Sequence, residues 1–324
     1  MNILLVYFSG AGNTRLYSEM IARGINERGH RCDLLDIEKI VDAKLLWRNF
    51  PVVPAYILEA EKRVPLGLSI NEIIRAYEND PAKDQQMLDL NKKIVNFNNY
   101  IANFDLIGFG SPIYFFEPAA VFSSFIKSIP GQNRKKAFTY GTHMEGPVDF
   151  GLKIKSELEL RGFDVIGHVD DYIAHTELMP LFGKSIATGE ILKKYLNYRL
   201  PSINKKINKF LDSLNIKSGS DFKALSKSET MPAGNVMKYI GKVVEAGLYA
   251  TMNHSFGNRF IADKCSKCGL CSKKCPMGLI EVGNDGYPVR KSHCMYCLRC
   301  LCICPQEAVS YTPLYDGKAR FKGF

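Results

Sequence analysis

Residues 3–14 read Ile3-Leu4-Leu5-Val6-Tyr7-Phe8-Ser9-Gly10-Ala11-Gly12-Asn13-Thr14. The first six form a continuous apolar run, which suits a strand buried on both faces of a parallel sheet. The next six are small or polar, and a helical pattern follows through Leu16, Met20, Ile21 and Ile25. A small-residue loop between a strand and a helix turns backbone N–H groups outward at the helix's positive end. Ser9, Asn13 and Thr14 add side-chain donors, which makes an anion site. The plainer alternative is a tight turn with an Asn/Thr helix cap. A dinucleotide fingerprint is excluded because the third glycine is missing, and a Walker A loop because no Gly-Lys-Ser/Thr ending follows.

Outward from this stretch, further short apolar segments read as strands at 33–37, 105–110, 137–141 and 164–169. Helical stretches fit near 118–129 and 148–161, and 203–214 reads as a closing helix. Strands alternating with helices predict an α/β, doubly wound, five-stranded parallel sheet. The loop after the third strand reads Gly110-Ser111-Pro112-Ile113-Tyr114-Phe115-Phe116-Glu117-Pro118. It falls at the C-terminal end of a strand expected beside the first one, at the switch-point crevice where ligands bind. Its three rings offer stacking surfaces for a flat cofactor; the alternative is plain core packing.

Together the two loops resemble those of the flavodoxin-like family over residues 1–170. Tyr7–Thr14 matches its phosphate loop and Gly110–Tyr114 its flavin loop. The resemblance implies a bound FMN, with its phosphate on Ser9, Gly10, Ala11, Gly12, Asn13 and Thr14. The flavin ring would lie between Ser111, Pro112, Ile113, Tyr114, Phe115 and Phe116 and a third loop, Tyr140-Gly141-Thr142-His143-Met144-Glu145-Gly146-Pro147, with Tyr140, Gly141, Thr142 and Gly146 as contacts. Ala11 stands where many family members carry Thr, which removes one phosphate hydrogen bond. His143, as a loop residue, reads as solvent-facing.

Residues 41–103 exceed what such a domain needs between its second and third strands. Apolar periodicity predicts helices around 71–77 and 87–101, and the segment holds the chain's one tryptophan, Trp47. Long connections are functional or carry their own structure. The insertion reads either as a stabilising decoration or as a lid shaping a pocket for a small-molecule acceptor over the flavin.

Nine of the ten cysteines lie between Cys265 and Cys304. They read Cys265-x2-Cys268-x2-Cys271-x3-Cys275-Pro276, then Cys294-x2-Cys297-x2-Cys300-x3-Cys304-Pro305, with Cys302 breaking the repeat. This is the spacing of a two-cluster iron–sulfur site, in which the fourth cysteine of each run ligates the other cluster. It predicts one [4Fe–4S] cluster on Cys265, Cys268, Cys271 and Cys304, and a second on Cys294, Cys297, Cys300 and Cys275. Zinc sites do not add a third cysteine at the same step, and disulfides need an oxidising compartment that no leader-like sequence supports. Cys302 reads as a small buried hydrophobe, and Cys32 as a packed thiol. Ile280–Pro288, with Asn284-Asp285-Gly286 as its turn, reads as a hairpin between the halves. Residues 263–310 resemble the two-cluster bacterial ferredoxin family.

The expected division is a flavin domain at 1–215 carrying the 41–103 insertion, a linker at 216–256 with an amphipathic helix, and an α+β two-cluster ferredoxin domain at 257–324. Taken whole, the arrangement resembles the EFR1-type flavodoxin–ferredoxin fusion family of anaerobes. It implies electron transfer between two [4Fe–4S] clusters and FMN, with an FMN-dependent reductase of a small molecule as the alternative and a redox sensor as a third. Charge sharpens this. Residues 1–200 hold 24 basic and 24 acidic side chains, so the formal net charge of +10 sits wholly in the remainder. Two clusters and an FMN phosphate would bring the total to about +4. A positive ferredoxin end predicts an acidic redox partner. The basic residues form no tract, so no nucleic-acid role is expected. No run of 18 apolar residues suggests a transmembrane helix, and the expected location is cytoplasmic.

Overall fold

The computed structural model describes residues 1–63, 66–115, 117–143, 150–173, 189–214 and 259–310. Phe116, Gly146 and the expected linker helix at 236–250 lie outside the described residues.

The chain runs β1 (Asn2–Tyr7), α1 (Asn13–Glu27) and β2 (Arg31–Asp36), followed by α2 (Ile37–Ile40), α3 (Ala43–Asn49), α4 (Ala55–Arg63), α5 (Ile70–Glu78) and α6 (Lys83–Ile101). Then come β3 (Leu106–Tyr114), β4 (Glu117–Pro118), α7 (Ala120–Ser128), β5 (Lys135–His143), α8 (Phe150–Glu159), β6 (Phe163–Tyr172) and α9 (Gly189–Ser213). The long strands pair in parallel in the order β2-β1-β3-β5-β6, and β4 folds back antiparallel on β3. This is the flavodoxin-like doubly wound order expected from the sequence, with β1 and β3 flanking the switch point. β1 and β3 are buried nearly end to end because helices cover both sheet faces. The α1 and α9 helices pack together, with Arg28, at the C-terminal cap of α1, paired to Asp212 on α9 at 2.6 Å.

The insertion supplies α3–α6. Its last helix, α6, buries Leu90, Ile94, Phe97 and Ile101, and the Phe97 ring meets Phe125 of α7 at 5.0 Å. Thus α6 is the crossover helix that joins β2 to β3, and α3–α5 are the addition. Trp47 on α3 is fully buried and donates from Nε1 to the Val52 carbonyl at 3.1 Å. Asp42 starts α3 by accepting from Lys44 and Leu45 N–H groups, and Ser69 and Glu72 form a capping box on α5.

The C-terminal module contains β7 (Arg259–Phe260), α10 (Leu270–Lys273), β8 (Ile280–Val282), β9 (Pro288–Arg290), α11 (Arg299–Ile303) and β10 (Val309–Ser310). Its outer strands β7 and β10 pair antiparallel, and β8 and β9 form the expected hairpin, with Gly286 at φ 81°. The two halves repeat at the backbone level. Left-handed residues Lys267, Gly269 and Gly278 in the first half recur as Tyr296, Leu298 and Glu307 in the second. Among the described residues, no helix is long and apolar enough to cross a membrane.

Candidate functional site: a switch-point cleft against a cysteine module

The first loop leaves β1 after Tyr7 and enters α1 through Gly12, whose φ of 111° is open to glycine without strain. Ser9 closes the loop by accepting from the N–H groups of Gly12 at 3.1 Å and Arg15 at 3.3 Å. No acidic side chain stands in the first turn of α1, so its positive end is uncompensated. Thr14 and Thr142 share a hydroxyl hydrogen bond of 2.8 Å that ties the first loop to the end of β5.

A cleft of about 440 Å³ opens at this point, lined by Ser9, Gly10, Ala11, Asn13, Thr14, Pro112, Ile113, Tyr114, Thr142 and His143, and closed on one side by Cys297 and Leu298. The first loop is therefore brought together with residues of two loops about a hundred or more positions later in the chain. Other expected contacts are placed differently. Tyr140 is fully buried beneath the cleft, and its hydroxyl bonds Ser18 at 2.8 Å. Ser111 is fully buried and shapes its loop, donating to the Pro112 carbonyl and accepting from Ala119 N–H. Phe115, at φ 48°, turns away to meet the Tyr56 ring at a tilt, 4.9 Å between centroids, and the Tyr296 ring edge-on at 5.9 Å. Gly12 and Gly141 belong to the loops without lining the cleft.

The donor set suits a phosphate: Ser9, Gly10, Ala11, Asn13 and Thr14 line the cleft at the N-terminal end of α1, where no acidic side chain stands. A Cβ on Gly10 would collide with the Tyr114 hydroxyl and crowd the Cys297 carbonyl, so only glycine lets the three elements close around this backbone.

The cysteines line two further cavities of about 430 Å³ each. Cys265, Cys268, Cys271 and Cys304 stand around one, and Cys275, Cys294, Cys297 and Cys300 around the other. Each cavity thus gathers three cysteines of one run and the fourth of the other. Among the described residues, no three His, Cys, Asp or Glu side chains converge closely enough to hold a single ion. The halves also repeat their sulfur hydrogen bonds: Leu279 N–H donates to Cys275 Sγ at 3.3 Å, and Ala308 N–H to Cys304 Sγ at 3.2 Å. Burial pushes the Cys297 thiol up to about 12 and the Cys300 thiol well above its ordinary value, with neighbouring sulfurs adding to the rise. Such thiols ionise when a metal supplies the missing positive charge. Cys302 is buried and lines neither cavity, whereas Cys268 is exposed. Cys32 is packed, and burial pushes its thiol up to about 12.

The two halves of the chain meet through Arg299, the first residue of α11. Its guanidinium donates to both carboxylate oxygens of Glu38, to the Ser9 carbonyl at 2.8 Å and to the Gly10 carbonyl at 3.2 Å, and lies over the Phe8 ring. Burial opposes its charge, but Glu38 more than offsets this and holds the guanidinium firmly protonated. Spacing gave no sign of this residue, because its first-half counterpart is Leu270. The insertion also reaches the cysteine module. Tyr56 donates to the Met295 carbonyl, Ser292 to Glu61, and Leu68 N–H to the Lys291 carbonyl. None of its described residues lines the cleft.

Comparison with known proteins agrees for the C-terminal part. A family profile described as a 4Fe-4S dicluster domain matches residues 258–305, and a second of the same description matches 233–280. A ferredoxin of Chlorobaculum thiosulfatiphilum is 29% identical over 56 residues, covering 15% of this chain and 92% of the ferredoxin. Ferredoxin-1 of Chlorobaculum tepidum is also 29% identical over 56 residues, covering 15% and 90%. Among solved structures, a flavodoxin from the domain Archaea aligns at 12% identity, covering 64% of this chain and 99% of that one, with a TM-score of 0.30. An azoreductase from Bacillus anthracis str. Sterne aligns at 15% identity, covering 65% and 100%, with a TM-score of 0.34. The strand order, rather than these scores, carries the fold of the first domain. The chain joins a flavodoxin-like parallel sheet to a C-terminal 4Fe–4S dicluster domain, whose cofactors are two [4Fe–4S] clusters.

Proposed function

We propose that the chain is an electron-transfer flavo-iron–sulfur protein of the flavodoxin–ferredoxin fusion type. FMN occupies the switch-point cleft, held by the Ser9–Thr14 loop, Pro112–Tyr114 and Thr142. Cys275, Cys294, Cys297 and Cys300 hold the cluster next to it, and Cys265, Cys268, Cys271 and Cys304 hold the outer one. Bound FMN supplies one- and two-electron chemistry, while each cluster carries one electron at a time. The observation that carries this reading is the shared wall: Cys297 and Leu298 line the cleft and the cysteine cavity alike. A cluster in that cavity adjoins any ligand in the cleft across this one wall.

The contacts of α3, α4 and the 67–68 turn with residues 278–296 support a role for the insertion as the seat of the cysteine module. That role accounts for its length without a lid, and it favours relay over the alternative of a small-molecule reductase. The outer cavity faces the basic end. Cys268 is exposed there beside exposed Lys264, Lys267, Lys273 and Lys274, with Asp263 the one acid in the 263–274 stretch. This is the entry port for an acidic redox partner, with association that slows as salt rises.

The test is anaerobic reconstitution followed by iron and flavin analysis. About eight irons and one FMN per chain are expected. Zinc in place of iron, or loaded clusters without FMN, would overturn the reading.

A further inference from the structure

The end of β5 and the middle of β6 carry a group of titratable side chains that the electron relay does not use. His143 Nε2 and Asp170 Oδ1 are 3.1 Å apart, and His168 Nε2 and Asp170 Oδ2 are 2.9 Å apart. Thr139 Oγ1 meets His168 Nδ1 at 2.7 Å, and Lys206 of α9 reaches Asp170 at 3.4 Å. His143 and Asp170 keep only 12% and 13% of their side-chain surface exposed, so the histidine expected to face solvent is enclosed. Burial alone would raise Asp170, but the two imidazoles and Lys206 hold it well below the ordinary carboxylate range.

An ionised carboxylate only accepts hydrogen bonds, so both imidazole nitrogens facing Asp170 carry hydrogen. That fixes the tautomer of His143 and leaves Nδ1 as its one variable proton position. His143 Nδ1 is closed off from solvent and has no hydrogen-bond partner among the described residues, while the ring itself lines the cleft. The surrounding charges balance. Asp170 faces Lys206, and neighbouring Asp171 pairs with Arg199 at 2.9 Å. Tyr17 of α1, near both aspartates, is held neutral by burial.

We propose that His143 is the proton donor and acceptor of the flavin cleft, with Asp170 as its positioning residue. The proposal rests on the reading of the cleft as an FMN site. His143 releases its Nδ1 proton to the flavin ring as an electron arrives from the cluster on Cys275, Cys294, Cys297 and Cys300. One proton and one negative charge thus enter together, the neutral imidazole stays bonded to Asp170 through Nε2–H, and the proton returns to Nδ1 when the flavin gives the electron up.

The experiment uses the full chain, reconstituted with iron, sulfide and FMN, as wild type, His143→Gln and Asp170→Asn. The glutamine amide of the first variant is not a proton source, though it can still donate toward Asp170. Three quantities are followed: FMN occupancy, the pH dependence of the bound flavin's reduction potential, and the rate of flavin reduction by the clusters with its solvent isotope effect. Wild type should show a break in the potential–pH curve that His143→Gln abolishes and Asp170→Asn displaces. Flavin reduction in His143→Gln should fall on the order of a hundredfold and lose its pH dependence, with FMN retained. Equal potential–pH curves and rates in wild type and His143→Gln, both holding FMN, would overturn the proton role and leave the electron relay standing. Failure of wild type to hold FMN would overturn the relay reading and this proposal with it.

Discussion

Arg299 and Glu38 form a two-pronged ion pair across the two halves of the chain, with Nη1 donating to Oε1 at 2.6 Å and Nη2 to Oε2 at 2.5 Å. The same guanidinium holds the carbonyls of Ser9 and Gly10 on the side away from a loop ligand. One side chain therefore docks the cysteine module and braces the anion loop. Removing either partner leaves the other charge in a largely buried place, at a cost of about 2–5 kcal/mol of docking free energy. Arg299→Gln and Glu38→Gln should keep their iron and slow the transfer of electrons to flavin. Limited proteolysis should also cut the segment between the domains faster. Full transfer in both variants would show that docking does not depend on the pair.

The exchange of fourth cysteines has its own signature. Cys275→Ser should lose about four irons and the fast reduction of flavin, while the outer cluster stays reducible. Cys302→Ser should keep about eight, since Cys302 lines neither cavity. Iron analysis with electron paramagnetic resonance of the reduced protein separates these outcomes, and equal iron loss in both variants would count against the ligand sets.

The Thr14–Thr142 hydrogen bond and the Tyr114 ring make a prediction for flavin binding. Thr14→Val removes a buried hydroxyl pair and a donor in the anion loop, and should weaken FMN binding by about 1–2 kcal/mol, roughly tenfold. Tyr114→Ala opens the wall against Gly10 and should lower flavin retention as well. Fluorescence titration of flavin-free protein with FMN reads both, and unaltered affinity in the pair would argue against the cleft as the site.

Glu157 on α8 gives a stability test away from the cofactors. Burial raises its carboxyl to about 7, although Ser123 bonds one of its oxygens. The folded chain therefore binds a proton more tightly than the unfolded chain does. Its contribution is fully present below the unfolded value near 4.5 and is lost as pH rises to about 7, amounting to roughly 3 kcal/mol. Glu157→Gln should remove that slope and leave the variant more stable than wild type above neutral pH. Parallel unfolding curves for the two proteins across that range would contradict the assignment.

Much of this was legible in the sequence for identifiable reasons. Buried strands write continuous apolar runs, so the strands after Met1, Asn103 and Arg134 could be read within a few residues. Thiolate spacing around a cubane is local, so both cysteine sets could be assigned before any cavity was known. Apolar periodicity around 71–77 marked α5 in the same local way. What could not be read is long-range. Tyr56 meets Met295, Glu38 meets Arg299, and His143 meets Asp170, and no periodicity or spacing links such pairs. The insertion therefore looked like a lid or a decoration until its contacts placed it beneath the cysteine module. Tyr140 and Phe115 had the right residue type in the right loops, but strand pleat and a left-handed turn aimed them into the core and the domain interface.

The central claim is that the inner cluster and the flavin exchange electrons within one chain, and stopped-flow reduction of the reconstituted protein tests it directly. After the clusters are reduced, flavin should be reduced in a first-order phase whose rate does not change with protein concentration. A rate that rises in proportion to protein concentration, or flavin that stays oxidised beside reduced clusters, would contradict it.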